Sequence, residues 1–318
     1  MVSKMYLSIV TSLYYSAPYL DEFYTRICAE AEKITHDYEI IFINDGSPDR
    51  SLDVVLSFYE KDERVRIIDL SRNFGHAKAI MTGLAHSKGR LVFLIDCDLE
   101  EEPELLGTFY EKIKNSNADV IYGVQKNRKG KFFERLSGKI FYQFFNFLSS
   151  YSVSPNLITA RLMSQRYVNA LQEYGEREIY LPGIWVMAGF KQAPLFVNKH
   201  SRGSSTYTLG RKIAMFVNSI TSFSNKPLVF IFYVGAVISL ISLIAAIHLI
   251  VRKVFFGALL AGWPSLIISI WLLGGLILFC LGVIGIYISK VFSETKQRPL
   301  AIIREIYDHS QVLQHKFR

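Results

Sequence analysis

Two apolar runs in the last third of the chain restrict what the rest of it can form. Leu228 to Val251 reads LVFIFYVGAVISLISLIAAIHLIV, broken only by His248, and Pro264 to Ser289 reads PSLIISIWLLGGLILFCLGVIGIYIS without a charge. Each exceeds the roughly 20 residues that cross a hydrocarbon core, so two transmembrane helices are expected at 228–251 and 264–289. Flanking charge sets their orientation. Arg211, Lys212 and Lys226 precede the first run and Lys290, Lys296, Arg298 and Arg304 follow the second, against Arg252 and Lys253 in the short connection. The positive-inside rule then predicts an integral membrane protein with both termini cytoplasmic. Gly274, Gly275, Gly282 and Gly285 would allow close helix contact, so a homo-oligomer is expected. At the other end Met1 leads into MYLSIVTSL, which reads as a strand and not as a removable signal.

Before the spans, short apolar runs alternate with amphipathic ones, the pattern of an α/β domain with a mostly parallel sheet. Strands are predicted at 5–13, 39–43, 65–70, 91–95 and 118–124, and helices at about 19–34, 51–61, 76–87 and 103–115. Pro18 and Pro103 suit helix starts, and Asp49 or Ser51 suits a cap. Cys28, Cys97 and Cys280 are scattered and give neither a disulfide framework nor a zinc spacing. The net charge of +8 fits an anionic membrane surface or phosphorylated substrates, with no nucleic-acid module in the chain.

Chemistry gathers at the predicted strand ends. Asp96-Cys97-Asp98 follows the buried run Leu91 to Ile95, and ligands of parallel sheets bind beyond the carboxyl ends of the strands. Two carboxylates are hard ligands suited to Mg²⁺ or Mn²⁺, which can bridge a nucleotide's diphosphate. The second strand ends at Asp45, in Asn44-Asp45-Gly46-Ser47-Pro48-Asp49. The third ends in Ser71-Arg72-Asn73-Phe74-Gly75-His76, whose basic groups suit phosphates. A G-x-G-x-x-G is missing after the first strand, which argues against an NAD enzyme.

In this order FINDGSPDRS, LSRNFGHAKAIMTGL, LVFLIDCDLEEEPELL, RGSSTY, ITSFSNKPL and KQRPLAIIREIY cover nearly the whole chain, which resembles a family 2 glycosyltransferase of the GT-A fold. The two-span tail narrows the resemblance to the polyprenyl-phosphate glycosyltransferases, the group of dolichol-phosphate mannose synthase and the bactoprenol glucosyltransferases. The resemblance implies a GT-A domain at 1–208, an amphipathic juxtamembrane helix at 209–227, the two spans, and a cytoplasmic tail at 290–318. It implies inverting transfer of a hexose-type sugar from a nucleotide-diphosphate donor, a UDP-sugar, to polyprenyl (undecaprenyl) phosphate at the cytoplasmic face of a bacterial inner membrane.

By the same resemblance Asp45 would contact the base, Asp96 the ribose or metal, and Asp98 the divalent ion. Tyr14 would stand at the aromatic position of the donor loop, and Arg202 would approach the phosphates and help close the site; Arg72, by its place at the third strand's end, is expected to bind the donor as well. Arg128 and Arg135 would hold the acceptor phosphate. Phe132, Phe133, Leu136, Ile140, Phe141, Phe144, Phe145 and Leu148 recur at helical spacing, as an interfacial helix or one packed on the sheet or a neighbour would.

Three departures stand out. Ser12-Leu13-Tyr14-Tyr15-Ser16 lacks the Pro before the aromatic position and the Asn-Glu after it; Glu100 replaces a Gln; and Thr159, before Arg161-Leu162-Met163, stands where many relatives carry Asp. The last loss is tolerable if the acceptor is a phosphate already ionised at neutral pH. Competing readings are a glycosyltransferase with a hydroxyl acceptor, disfavoured by that missing carboxylate, and a catalytically silent membrane adaptor, disfavoured by the intact Asp96 and Asp98.

Overall fold

The central strands are buried along almost their whole length because helices cover both of their faces. A computed structural model of the chain describes residues 5–125, 156–197, 221, 226–256 and 262–309. In chain order the elements are β1 (Leu7–Leu13), α1 (Leu20–Glu32), β2 (Tyr38–Asn44), α2 (Ser51–Tyr59), β3 (Val65–Leu70), α3 (His76–Ala85), β4 (Leu91–Leu94), α4 (Leu105–Lys114) and β5 (Val120–Gln125). There follow β6 (Leu157–Ser164), α5 (Gln165–Gln172), α6 (Leu181–Met187), β7 (Gln192–Val197), α7 (Lys226–Phe256), α8 (Trp263–Thr295) and β8 (Ile303–Tyr307).

One eight-stranded sheet runs β7-β5-β6-β4-β1-β2-β3-β8. Strands β4, β1, β2 and β3 are parallel to their neighbours in that run. β6 is antiparallel to both β4 and β5, and β8 closes the other edge antiparallel to β3. Leaving β1, the chain builds outward first to β2 and β3 and then to β4 on the opposite side. The gap between β1 and β4 is thus a topological switch point, where open α/β sheets take their ligands.

On one sheet face Leu7, Ile9, Leu13, Phe42 and Phe93 form a core with Leu20, Phe23 and Ile27 of α1, Val55 and Phe58 of α2, and Leu106 and Phe109 of α4. Phe23 meets Phe42 edge-on at 6.4 Å between centroids, and Phe93 meets Phe109 at 6.0 Å. Each such buried aromatic contributes roughly 1.5–3 kcal/mol. The other face carries α3, where Gly83 sits against Val10 and Ile43 with no room for a Cβ.

The five predicted strands and four predicted helices are present, with ends shifted by a few residues. Pro18 lies in a 3-10 turn, Ala17–Tyr19, that leads into α1, and Pro103 in a turn just before α4. The cap position of α2 is Arg50, yet Asp49 accepts the Ser51 amide at 3.1 Å and so still satisfies the start of that helix. β6, β7 and β8 were not anticipated as strands. β8 falls within the stretch expected to be a tail, and α8 runs to Thr295 before it. The described residues divide into two compact units, one holding the sheet including β8, the other the long helices α7 and α8. Among the described residues one stretch is long and apolar enough to cross a membrane, Ser269–Thr295 with mean hydropathy 2.4, and Lys226–Ile238 is a shorter apolar helical stretch.

Candidate functional site

Four strand ends form the rim of the site. Tyr14 follows β1, Asp45 follows β2, Arg72 follows β3, and Asp96 and Asp98 follow β4, so the sheet brings together every described residue expected to bind donor or metal. Tyr14 and Tyr15 are half exposed and pack edge to face at 4.8 Å. They offer aromatic surface to solvent at the switch point.

The loops are tied to one another through side chains. Tyr15, at φ 55°, donates its amide to Ser47 Oγ at 2.8 Å, and Ser16 and Ala17 donate theirs to Ser51 Oγ and Asp49 Oδ2. Burial works against the Asp49 carboxylate, but the hydroxyls of Ser47 and Ser51 and the two amides overcome it, leaving its pKa below the ordinary value. Three hydrogen bonds thus join the β1–α1 loop to the β2–α2 loop.

Asp45 does not present a free edge to a ligand. It is 2% exposed, and its two oxygens accept the amides of Phe74 at 2.7 Å and Gly75 at 3.0 Å. Burial raises its pKa, against the pull of those two bonds. In this structure it organises the β3–α3 loop. Phe74 in turn carries Arg72, whose guanidinium lies 4.1 Å over the ring, where the aromatic face attracts the cation. Gly46, at φ +60°, lies so close to the backbone of Arg72 and Asn73 that a Cβ would collide with it. The β2 and β3 loops thus touch through backbone.

Asp96 keeps partial exposure, with 21% of its side chain accessible, and His76 reaches it from α3. His76 Nε2 lies 3.5 Å from Asp96 Oδ1, and its Nδ1 lies 2.9 Å from Ser12 Oγ. Asp98 Oδ1 accepts the Glu100 amide at 2.9 Å across Leu99, which is held at φ 60°. A left-handed leucine is an uncommon, strained conformation and is concentrated at functional loops. Among the described residues no group of three or more His, Cys, Asp or Glu side chains could hold a metal by itself. Mg²⁺ needs no such cage, because one or two carboxylates plus substrate phosphates and water complete its shell. Asp96 and Asp98 fit that requirement. Cys97 between them is buried, and burial pushes its thiol up to about 12, so it is no thiolate.

Two buried charges escaped the sequence reading. Glu101, 1% exposed, accepts the amides of Thr159 at 3.0 Å and Ala160 at 2.8 Å, fastening the acidic loop to β6. Arg161 is buried with its guanidinium against the Trp185 ring. Burial lowers its pKa to about 10, opposed by Tyr167 and Glu101. The run of four acidic residues from Asp98 to Glu102, broken by Leu99, hides Glu101, because nothing in the run marks which carboxylate turns inward. Arg128, Arg135 and Arg202 lie outside the described residues, as do the 132–148 segment and most of the expected juxtamembrane helix.

The chain matches the Glycosyl transferase family 2 model over residues 8–171, from β1 to the end of α5. A glycosyltransferase-like protein of Mycobacterium tuberculosis (strain CDC 1551 / Oshkosh) is 54% identical across 95% of this chain and 89% of its own. Glycosyltransferase YkcC of Bacillus subtilis (strain 168) is 33% identical over 94% of each chain. The bactoprenol glucosyl transferase of Shigella phage SfX is 30% identical over 94% of this chain and 99% of that one.

Proposed function

The chain belongs to glycosyl transferase family 2, with the α/β GT-A fold, and from that premise we propose that it is an inverting, membrane-anchored hexosyltransferase. Its donor is a nucleoside diphosphate sugar of the UDP-sugar class and its acceptor is polyprenyl phosphate at the cytoplasmic membrane face. The observation that carries this reading is the Asp96 and Asp98 pair at the end of β4, beside the point where the sheet diverges from β1. The bactoprenol enzyme aligned over nearly the whole chain supports a lipid phosphate acceptor. An acceptor with an isoprenoid tail stays in the bilayer, and the apolar runs at 228–251 and 264–289 support two anchoring spans behind a catalytic domain at 1–208. Open space at Gly274, Gly275, Gly282 and Gly285 suits close packing against a second copy.

Asp96 and Asp98 would hold Mg²⁺ or Mn²⁺, which when bound neutralises charge on the diphosphate. Tyr14 offers a ring for the base, and Arg72 with Arg202 supplies cationic donors to the phosphates. In the transfer the bond from the anomeric carbon to the diphosphate oxygen breaks, and an oxygen of the lipid phosphate bonds that carbon from the opposite face. Nucleoside diphosphate leaves with the electron pair. The acceptor's second pKa is about 6, so at pH 7 it is mostly a dianion and no group need take a proton from it. Arg128 and Arg135 would hold that dianion beside the donor's own charge. Thr159, at a position without a carboxyl group, is then sufficient.

A comparison of acceptors tests this. Purified protein given a UDP-sugar should glycosylate undecaprenyl phosphate and leave diacylglycerol unmodified, and Thr159→Ala should keep most of that activity. Transfer to diacylglycerol alone, or loss of activity in a folded Thr159→Ala protein, would contradict it.

A further inference from the structure

The strand that follows α8 in sequence reaches into the donor rim. β8 pairs with β3 in the register Asp69 to Glu305 and Leu70 to Ile303, so Arg304 is the extra residue of a β-bulge. Bulges re-aim a side chain out of the regular alternation. Here Arg304 Nη1 donates to Asp69 Oδ2 at 3.2 Å and Nη2 to the Ser71 carbonyl at 2.8 Å, one residue before Arg72. The strand is pinned elsewhere by Arg66, which donates to Asp308 at 2.9 Å and Glu39 at 2.6 Å.

Asp69 passes the constraint on. It is 2% exposed, and its second oxygen accepts Asn44 Nδ2 at 2.7 Å. Asn44 Oδ1 accepts the Ser47 amide at 3.1 Å, and Ser47 Oγ accepts the Tyr15 amide at 2.8 Å. Each link has one chemical sense. A carboxylate only accepts and an amide N–H only donates, which also fixes the orientation of the Asn44 side chain. The chain of bonds Arg304, Asp69, Asn44, Ser47, Tyr15 crosses the ends of β8, β3, β2 and β1 in turn.

We propose that Arg304 is a positioning residue for the donor site, setting the backbone that carries Tyr14 and Tyr15 through this relay and the start of the Arg72 loop through Ser71. The segment after the second long helix thereby completes the nucleotide rim. The relay stands on geometry alone. Its consequence for nucleotide binding rests on the donor reading given above.

The test compares the full chain in detergent micelles with Arg304→Met and, as a second route to the same break, Asp69→Asn. Hydrogen exchange should quicken about tenfold at the Ser47 and Tyr15 amides in both variants, ~1.4 kcal/mol of lost protection, with α4 unchanged. Titration with UDP and Mn²⁺ should show Kd raised about tenfold in Arg304→Met and less in Arg304→Lys, which keeps one of the two donations. Unchanged exchange at Ser47 and Tyr15, or faster exchange everywhere in both variants, would overturn the relay. If the wild type takes up no UDP, the donor reading fails while the exchange result still decides the relay.

Discussion

His76 Nε2 lies 3.5 Å from Asp96 Oδ1, and its other ring nitrogen is 2.9 Å from Ser12 Oγ. The first residue of α3 thus links the end of β1 to the carboxylate that ends β4. Removing the ring would leave Asp96 without this lateral support and free to take other rotamers. For His76→Ala we expect kcat/KM for the donor to fall about tenfold, ~1.4 kcal/mol, and the Mn²⁺ concentration for half-maximal activity to rise. Asparagine at this position can bond Ser12 or Asp96 and should recover part of the loss. Steady-state kinetics across a metal titration, beside a thermal melt showing an intact fold, would check it; unchanged kinetics would leave His76 as a surface residue.

Gly46 tests the contact between the β2 and β3 loops. At φ +60° alanine is strained, and its Cβ would strike the backbone of Arg72 and Asn73. The strain and the collision together should cost roughly 2–4 kcal/mol. Denaturant unfolding of Gly46→Ala should show that loss, with nucleotide binding reduced further than the stability change explains. A stability within error of wild type would mean that the two loops can separate freely.

Acid should loosen the donor loops through Asp49. Its folded pKa is depressed, so the stability it confers is present above the unfolded value, about 4, and is lost as pH falls through the lower folded value. Asp49→Asn removes that titration. The variant should be less stable than wild type at pH 7, and the gap should narrow below about pH 4, as unfolding curves across pH would reveal. A gap of constant size would assign the Asp49 contribution to packing.

The sequence was most legible where burial is two-sided. Tyr38–Asn44 is buried at every residue, and such runs followed by Asp45 or by Asp96 announced both the parallel sheet and the rim. β6 and β7 were harder. β6 carries Arg161 in its interior, and a buried arginine breaks the apolar pattern that marks a strand, while Pro194 stands inside β7. β8 is short and alternates poorly, because a bulge at Arg304 interrupts its period, and it follows a long apolar helix, where a solvated tail is the simpler expectation. Within the site, residue types and order put Tyr14, Arg72, Asp96 and Asp98 at strand ends, and the sheet sets those ends along one rim. They did not indicate that Asp45 turns inward to two amides, or that Glu101 alone of its acidic neighbours is buried against β6. Such choices depend on which backbone amides lie opposite, and those come from distant parts of the chain.

The central claim is that Asp98 organises a metal-assisted transfer to a lipid phosphate. It is tested most directly by incubating wild type and Asp98→Asn, each in detergent with undecaprenyl phosphate, with radiolabelled nucleotide sugars, with Mg²⁺ or Mn²⁺ and with EDTA, and counting label in the lipid phase. The account predicts label from one donor class in the wild type with a divalent ion, and none with EDTA or in a folded Asp98→Asn protein. Wild-type turnover by Asp98→Asn, or no labelled lipid from the wild type with any donor, would contradict it.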